Sequence, residues 1–198
     1  MNSKGNLYVI MGPSGAGKGS VISKLLDVKD DAFLSISATT RKPRDGEIHG
    51  KHYLFVSQEE FDNMVKNDML LEYATYVGNS YGTPKEPVLR ELAKGRDVIL
   101  EIDVQGAAKI KQKIPEANLL FIVPPTFGEI EKRLRGRDTE DESKVIKRLE
   151  RAKEEYLFAK SADYVIINDT LDSAVDEILT IMRANSYRTQ NRIDFLKF

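Results

Sequence analysis

The sequence contains no cysteine in 198 residues, which excludes disulfides and any thiolate metal site. It has only two histidines, His49 and His52. Nothing beside them completes a metal-ligand set, so both read as loop or strand-surface residues. No apolar run approaches the roughly 20 residues that span a bilayer. The opening MNSKGNLYVIMG has too short an apolar stretch for a secretory signal and runs at once into a glycine loop. An excess of one charge is also missing. The formal net charge is -1, which argues against the basic face of a nucleic-acid binder. There is no repeat and no low-complexity segment. These absences together leave a cytoplasmic enzyme, with neither nucleic acid nor membrane as partner. Its length fits one compact domain, or one domain carrying inserted lobes.

What is present has the rhythm of an α/β fold. Apolar, β-rich runs stand at Leu7–Met11, Asp97–Ile102, Asn118–Val123 and Tyr164–Ile167. Separated by helical patterns, they predict buried parallel strands. Ser35–Thr39, SISAT, is a further strand candidate. Val21, Ile22, Leu25 and Leu26 form the apolar face of a helix after the first strand. Two regions break the rhythm. Residues 41–87 are rich in glycine, proline and tyrosine and predict a small β-rich lobe with one helix, for which Ser57 and Glu60 form a capping box. Residues 124–156 are charge-dense and predict a helical hairpin with little apolar content, laced with i,i+4 ion pairs.

The most informative stretch is YVIMGPSGAGKGSVISKLL. A strand, a glycine loop with a lysine and a helix follow one another, as a phosphate cradle requires. Such a cradle needs backbone N–H groups turned inward, a helix N-terminus behind them and a lysine reaching the terminal phosphates. Gly12, Gly15, Gly17, Lys18 and Gly19 supply these parts, with Pro13, Ser14 and Ala16 between them. The usual hydroxyl after the lysine is missing: Gly19 stands there and Ser20 comes one step late. Direct ligation of Mg²⁺ by that position is therefore not expected. Phosphates and water would hold the ion, with Ser20 and the strand-end carboxylate Asp103 contributing through water.

A phosphorylated acceptor calls for arginines, whose planar fork matches phosphate oxygens. TTRKPRDGE offers Arg41 and Arg44, stiffened by Pro43. With these residues in view, the chain resembles guanylate kinases. The blocks GPSGAGKGS, ATTRKPRDGEIHGKHYLFVS, LEYATYVGNSYGTPKEPV, LEIDVQGA, LRGRDTEDESKVIKRL and IINDTLDSA follow one another in the family's order.

The resemblance implies Mg²⁺-dependent transfer of phosphate from ATP to GMP or dGMP, giving ADP and GDP. It implies an α/β fold: a P-loop core with a parallel five-stranded sheet (1–36, 88–123 and 157–198), an inserted GMP-binding lobe (37–87) and a helical lid (124–156). It sets the GMP phosphate against Arg41, Arg44, Tyr53 and Tyr81, and the guanine against Ser37, Glu72, Thr83 and Asp103. Asn168 would touch the adenine. Lys18, Arg41 and the lid residues Arg137 and Arg148 would stabilise the transferring phosphoryl group, with Arg133 a further candidate. Glu72 is the discriminating residue, because guanine presents N1–H and N2–H₂ side by side to one carboxylate and adenine does not. Tyr73 and Tyr76 read as packing residues.

Two other readings fit parts of the pattern. Guanylate-kinase-like scaffold modules bind peptides, but they typically have a damaged phosphate loop. A kinase for ribose 1,5-bisphosphate would keep the loop and arginines without needing Ser37, Glu72 and Thr83. The tail MRANSYRTQNRIDFLKF matches no block; it continues a helix, packs on the core or mediates self-association.

Overall fold

A computed structural model describes residues 4–76, 78–135 and 142–196. In chain order its elements are β1 (Leu7–Met11), α1 (Lys18–Val28), β2 (Phe33–Leu34), β3 (Ala38–Thr39), β4 (Leu54–Phe55), α2 (Gln58–Lys66), β5 (Leu70–Tyr76), β6 (Asn79–Pro84) and α3 (Lys85–Ala93). After these come β7 (Val98–Glu101), α4 (Val104–Lys113), β8 (Asn118–Val123), α5 (Phe127–Arg135), α6 (Glu142–Tyr156), β9 (Tyr164–Ile167), α7 (Leu171–Ser186) and α8 (Thr189–Arg192).

The main sheet is parallel and five-stranded, in the order β2-β7-β1-β8-β9. Its central strands are apolar on both faces. Leu7, Val9 and Met11 of β1 join one buried cluster, with Leu92 of α3 and Ile110 of α4. Tyr8 and Ile10 join another, with Val21, Ile22 and Leu25 of α1 and Ile178 of α7. This is why these strands read as continuous apolar runs rather than alternating ones. Ligands of such sheets bind beyond the carboxyl ends of the strands, and β1 and β7 lead there into the glycine loop and Asp103.

The second sheet is four-stranded, β4-β3-β6-β5, and lies between β2 and α3 in the chain. Of SISAT only Ala38–Thr39 is strand. Just before it Leu34 pairs with Ile99 in the main sheet, while Ala38 pairs with Leu54 and Gly82 in the small one. The chain passes from one sheet to the other inside that stretch. Helix α2 begins with the full capping box: Ser57 Oγ accepts from Glu60 N–H, and Glu60 accepts from Ser57 N–H.

Strand β5 is irregular near its start. Leu70 faces Pro84, yet Glu72 faces Thr83, so β5 carries one extra residue, Leu71. A bulge of this kind re-aims the side chains that come after it. Three successive residues, Leu70, Leu71 and Glu72, are buried as a result.

The helical pair α5 and α6 is less polar inside than its composition suggests. Ile130, Leu134, Val145 and Ala152 are buried together, with Phe127, Leu149 and Tyr156 against them. The tail docks on its own core: Asn191 Nδ2 donates to Asn6 Oδ1 and to Asn185 O, both at 2.8 Å. Among the described residues no helix is long and apolar enough to cross a membrane.

Candidate active site

The loop after β1 is shaped by close approaches. Gly12 has φ 145°, and a Cβ there would lie 2.3 Å from Ile122 O. Gly17 caps α1 with φ 88° and ψ 21°, and its Cβ would fall 2.5 Å from Asn168 Nδ2. Only glycine fits either position. Asn168 is buried and donates through Nδ2 to Ala16 O at 2.7 Å. Arg133 of α5 reaches the same Ala16 O at 3.4 Å and Asn168 O at 3.3 Å. Gly15 lies under Leu134 and Ile130 of α5. Nothing lies within 4 Å of a Cβ built on Gly19, and Ser20 is exposed in the first turn of α1.

Lys18 Nζ donates to Gly12 O at 2.7 Å and Pro13 O at 3.2 Å. Burial pulls its pKa down, and the carboxylates of Glu101, Glu155 and Asp103 push back up. On the other side of the loop α6 makes contact. Ser14 N–H donates to Glu155 Oε2 at 3.2 Å, and Arg148 Nη2 donates to Ser14 Oγ at 2.8 Å. Thus a loop N–H is already bonded to an anionic oxygen. Glu155 is itself held by Arg151 at 2.9 Å, and the Arg151 guanidinium lies over the Tyr76 ring at 3.7 Å.

These groups form one wall of a cleft of about 350 Å³. Gly12, Ser14 and Lys18 line it from the loop, with Arg151 and Glu155 from α6. Ser37, Tyr53, Glu72 and Tyr81 line it from the small sheet, and Glu101 and Asp103 from the end of β7. Tyr76, expected only to pack, also lines it, and Tyr73 is exposed under Lys109 rather than packed inside.

Glu72 is 5% exposed and accepts a 2.7 Å hydrogen bond from buried Thr83. Burial is the chief cause that raises its pKa; Thr83, Lys109 and Lys113 oppose it, and Asp103 adds to it. Asp103 caps α4, accepting from Gly106 N–H at 2.8 Å. Arg41 and Arg44 do not line the cleft itself. Arg41 is gripped at both ends of its fork by Glu47, at 2.9 and 2.8 Å, and lies over the Tyr53 and Phe55 rings. Arg44 is exposed, and its backbone N–H also donates to Glu47. Two charge-assisted bonds and the Arg44 N–H hold the Glu47 carboxyl down at about 2. His49 and His52 are exposed, with His52 Nδ1 accepting from Ile48 N–H. Arg137 lies outside the described residues. No group of three or more acidic or histidine side chains among the described residues is arranged to hold a metal ion.

The glycine loop with Lys18 thus faces the buried Glu72 carboxylate across one cleft. A family model described as guanylate kinase matches residues 4–185. The chain belongs to the guanylate kinase family. It is a nucleoside monophosphate kinase, a phosphotransferase. A guanylate kinase of Caldanaerobacter subterraneus subsp. tengcongensis is 47% identical over 194 residues, 98% of this chain and 94% of its own length. One from Escherichia coli O157:H7 is 46% identical over 188 residues, covering 94% and 91%. The crystal structure of guanylate kinase from Anaplasma phagocytophilum is 33% identical, with a TM-score of 0.80, over 96% of this chain and 90% of that one.

Several residues around the guanylate kinase cleft gave no signal in the sequence. Glu47 is one acid in a charged turn; only the folded loop shows it gripping Arg41. Glu155, Arg151 and Glu101 sit in charge-rich or strand-end contexts where a solvated carboxylate or guanidinium is the ordinary expectation. An i,i+4 spacing hints at the Arg151–Glu155 pair, but not that it faces the loop.

Proposed function

We propose that this chain transfers the γ-phosphate of ATP to GMP, or to dGMP, giving ADP and GDP. The observation that carries the reading is the single cleft bounded by Lys18 on one wall and buried Glu72 on the other. A GMP phosphate oxygen attacks the γ-phosphorus, the bond to the β,γ-bridging oxygen breaks, and ADP leaves as an anion. No general base is needed, because the acceptor phosphate is already ionised at neutral pH. Catalysis is positioning and charge stabilisation.

The loop from Gly12 to Ser20 binds the ATP phosphates through its N–H groups. That Ser14 N–H already bonds a carboxylate supports an anion there. Lys18, Arg41, Arg148 and Arg137 share the charge of the transferring group, residues 124–156 acting as the lid. The contact of Arg148 with Ser14 Oγ supports a lid arginine at the loop. Asn168, beside Gly17, faces the adenine. In the 37–87 lobe, Arg41, Arg44, Tyr53 and Tyr81 hold the GMP phosphate; Ser37, Thr83, Asp103 and Glu72 read the guanine, Glu72 accepting its N1–H and N2–H₂. Residues 1–36, 88–123 and 157–198 form the core.

Mg²⁺ fits this donor set as an ion carried by phosphate oxygens and water, since Gly19 leaves open space and, among the described residues, the carboxylates that line the cleft form no metal-holding group. Ser20 and Asp103 would hold it through water, and when bound it would supply charge neutralisation during phosphoryl transfer. The proposed setting is cytoplasmic purine nucleotide metabolism.

The test is ADP formation from ATP and Mg²⁺ with GMP, AMP, CMP, UMP and ribose 1,5-bisphosphate offered singly. GMP is expected to exceed the other acceptors by about a thousandfold in kcat/KM. Comparable turnover of AMP or ribose 1,5-bisphosphate would remove the guanine reading. Binding of GMP without turnover would favour a binding module.

Glu47→Gln gives a narrower check. Arg41 and Glu47 side chains are only 14% and 18% exposed, so the pair fixes the guanidinium. Without the charged grip, KM for GMP is expected to rise about tenfold, with KM for ATP unchanged. A normal KM for GMP in steady-state kinetics would show that Arg41 needs no such support.

A further inference from the structure

We infer that one face of α4 is the back plate that aims Glu72, and that Gly106 and Lys113 are positioning residues for base selection. The inference rests on the proposed role of Glu72 toward guanine. Three α4 residues at i, i+3 and i+7 address the β5 bulge from one side of the helix. Gly106 is buried directly behind the carboxylate: a Cβ there would stand 2.8 Å from Glu72 Oε2 and 3.1 Å from its Cδ. Lys109 donates to Tyr73 O and lies over the Tyr73 ring. Lys113 Nζ donates to Leu71 O at 2.6 Å.

Leu71 is the extra residue of the bulge. Bulges leave one residue unpaired in the ladder, and here Lys113, at the end of α4, takes the carbonyl of that residue. The two lysines therefore bracket Glu72 at the carbonyls on either side of it. Thr83 fixes Oε1 from the facing strand, and the bare Cα of Gly106 leaves space for Oε2. The carboxylate is thus held from β6 on one side and from α4 on the other. The same lysines put positive charge near it, which opposes the cost of burying an anion. A carboxylate that must meet two adjacent donors tolerates little rotation, so its support decides how well it tells bases apart.

The experiment compares GMP with IMP, which lacks the 2-amino group and so tests the second contact directly. Steady-state kinetics would be run on Gly106→Ala, Lys113→Met, Glu72→Gln and the double variant Gly106→Ala with Glu72→Gln. Gly106→Ala and Lys113→Met are each expected to raise KM for GMP about tenfold and to lower the GMP-to-IMP preference by a similar factor. Both should keep kcat at saturating GMP and KM for ATP within about twofold of the parent. In the double variant the Gly106 effect should vanish, because residues that act through one group do not add.

Lys113 is exposed, so its replacement tests the inference even where alanine at Gly106 impairs folding. Unchanged selectivity in Lys113→Met and Gly106→Ala, beside a collapse in Glu72→Gln, would overturn the back plate and leave Glu72 standing. Full additivity in the double variant would overturn it too. If Glu72→Gln itself kept the GMP-to-IMP preference, the Glu72 reading would fall and the inference with it.

Discussion

Glu72→Gln is expected to lower kcat/KM for GMP by about a thousandfold while leaving KM for ATP near its parent value. The carboxylate offers acceptors only, and guanine presents two donors. The amide turns one acceptor into a donor, in a pocket where Glu72 is 5% exposed and water cannot compensate. Losing a charge-assisted bond and leaving a buried donor unpaired costs about 4 kcal/mol together, which is about three decades. Thr83 cannot restore the match, because its hydroxyl already serves Oε1.

The pH dependence has its origin in the same burial. The raised pKa of Glu72 means that protonation begins above the ordinary glutamate value as pH falls. The charged and titratable groups around it are Asp103, Lys109 and Lys113. A protonated Glu72 donates where it must accept, so KM for GMP should climb as pH drops through that raised value, and Glu72→Gln should lack the climb. The fold should survive the substitution. A carboxyl whose folded pKa is raised is costlier to ionise in the folded chain. That cost is fully present above the folded pKa and absent below the unfolded one, so removing the charge relieves it at neutral pH. A parent-like kcat/KM for GMP, with an intact thermal melt, would refute the assignment.

Lys18→Ala is the second large effect, expected mainly in kcat, by about a thousandfold at saturating ATP and GMP. Lys18 lines the cleft beside the loop; burial lowers its pKa, and Glu101, Glu155 and Asp103 oppose that loss of charge. A preorganised cation aimed at developing charge is worth about 3–4 kcal/mol in the transition state. The variant also loses the bonds to Gly12 O and Pro13 O, so some rise in KM for ATP should accompany it. Its melting temperature should change little. A lysine with a lowered folded pKa subtracts from stability below that pKa, and removing it offsets the two lost bonds. Parent-like turnover in a folded variant would take Lys18 out of the mechanism.

Much of the architecture was legible because its causes are local. β1, β8 and β9 were read to the residue: β1 and β8 are buried on both faces and so are continuous apolar runs, and the edge strand β9 keeps the same β-branched run although Val165 and Ile167 are exposed. The capping box at Ser57 and Glu60 depends on four consecutive residues, and so it shows in the sequence. SISAT misled because only its end, Ala38–Thr39, is strand, in the small sheet, while the main-sheet piece Phe33–Leu34 stops just before it; read in line the segment looks like one strand. The small core of α5 and α6 was masked by charge density: Ile130, Leu134, Val145 and Ala152 are few, but all lie on the facing sides.

The sequence by itself determined an α/β chain with a glycine loop and lysine between its first strand and helix, a β-rich segment with one capped helix and a charged helical pair, because periodicity, capping and glycine spacing act over a turn or two of chain. Only the tertiary structure decided that β5 bulges at Leu71, that Glu72 turns inward onto Thr83, and that Gly106 and Lys113 stand behind it. It alone brought Glu155 and Arg148 of α6 onto Ser14, and Glu47 onto Arg41. These are contacts between segments that meet only when the sheets and helices pack. A lone glutamate in a sequence is a solvated charge by default, and burial opposite a particular donor is what makes it specific.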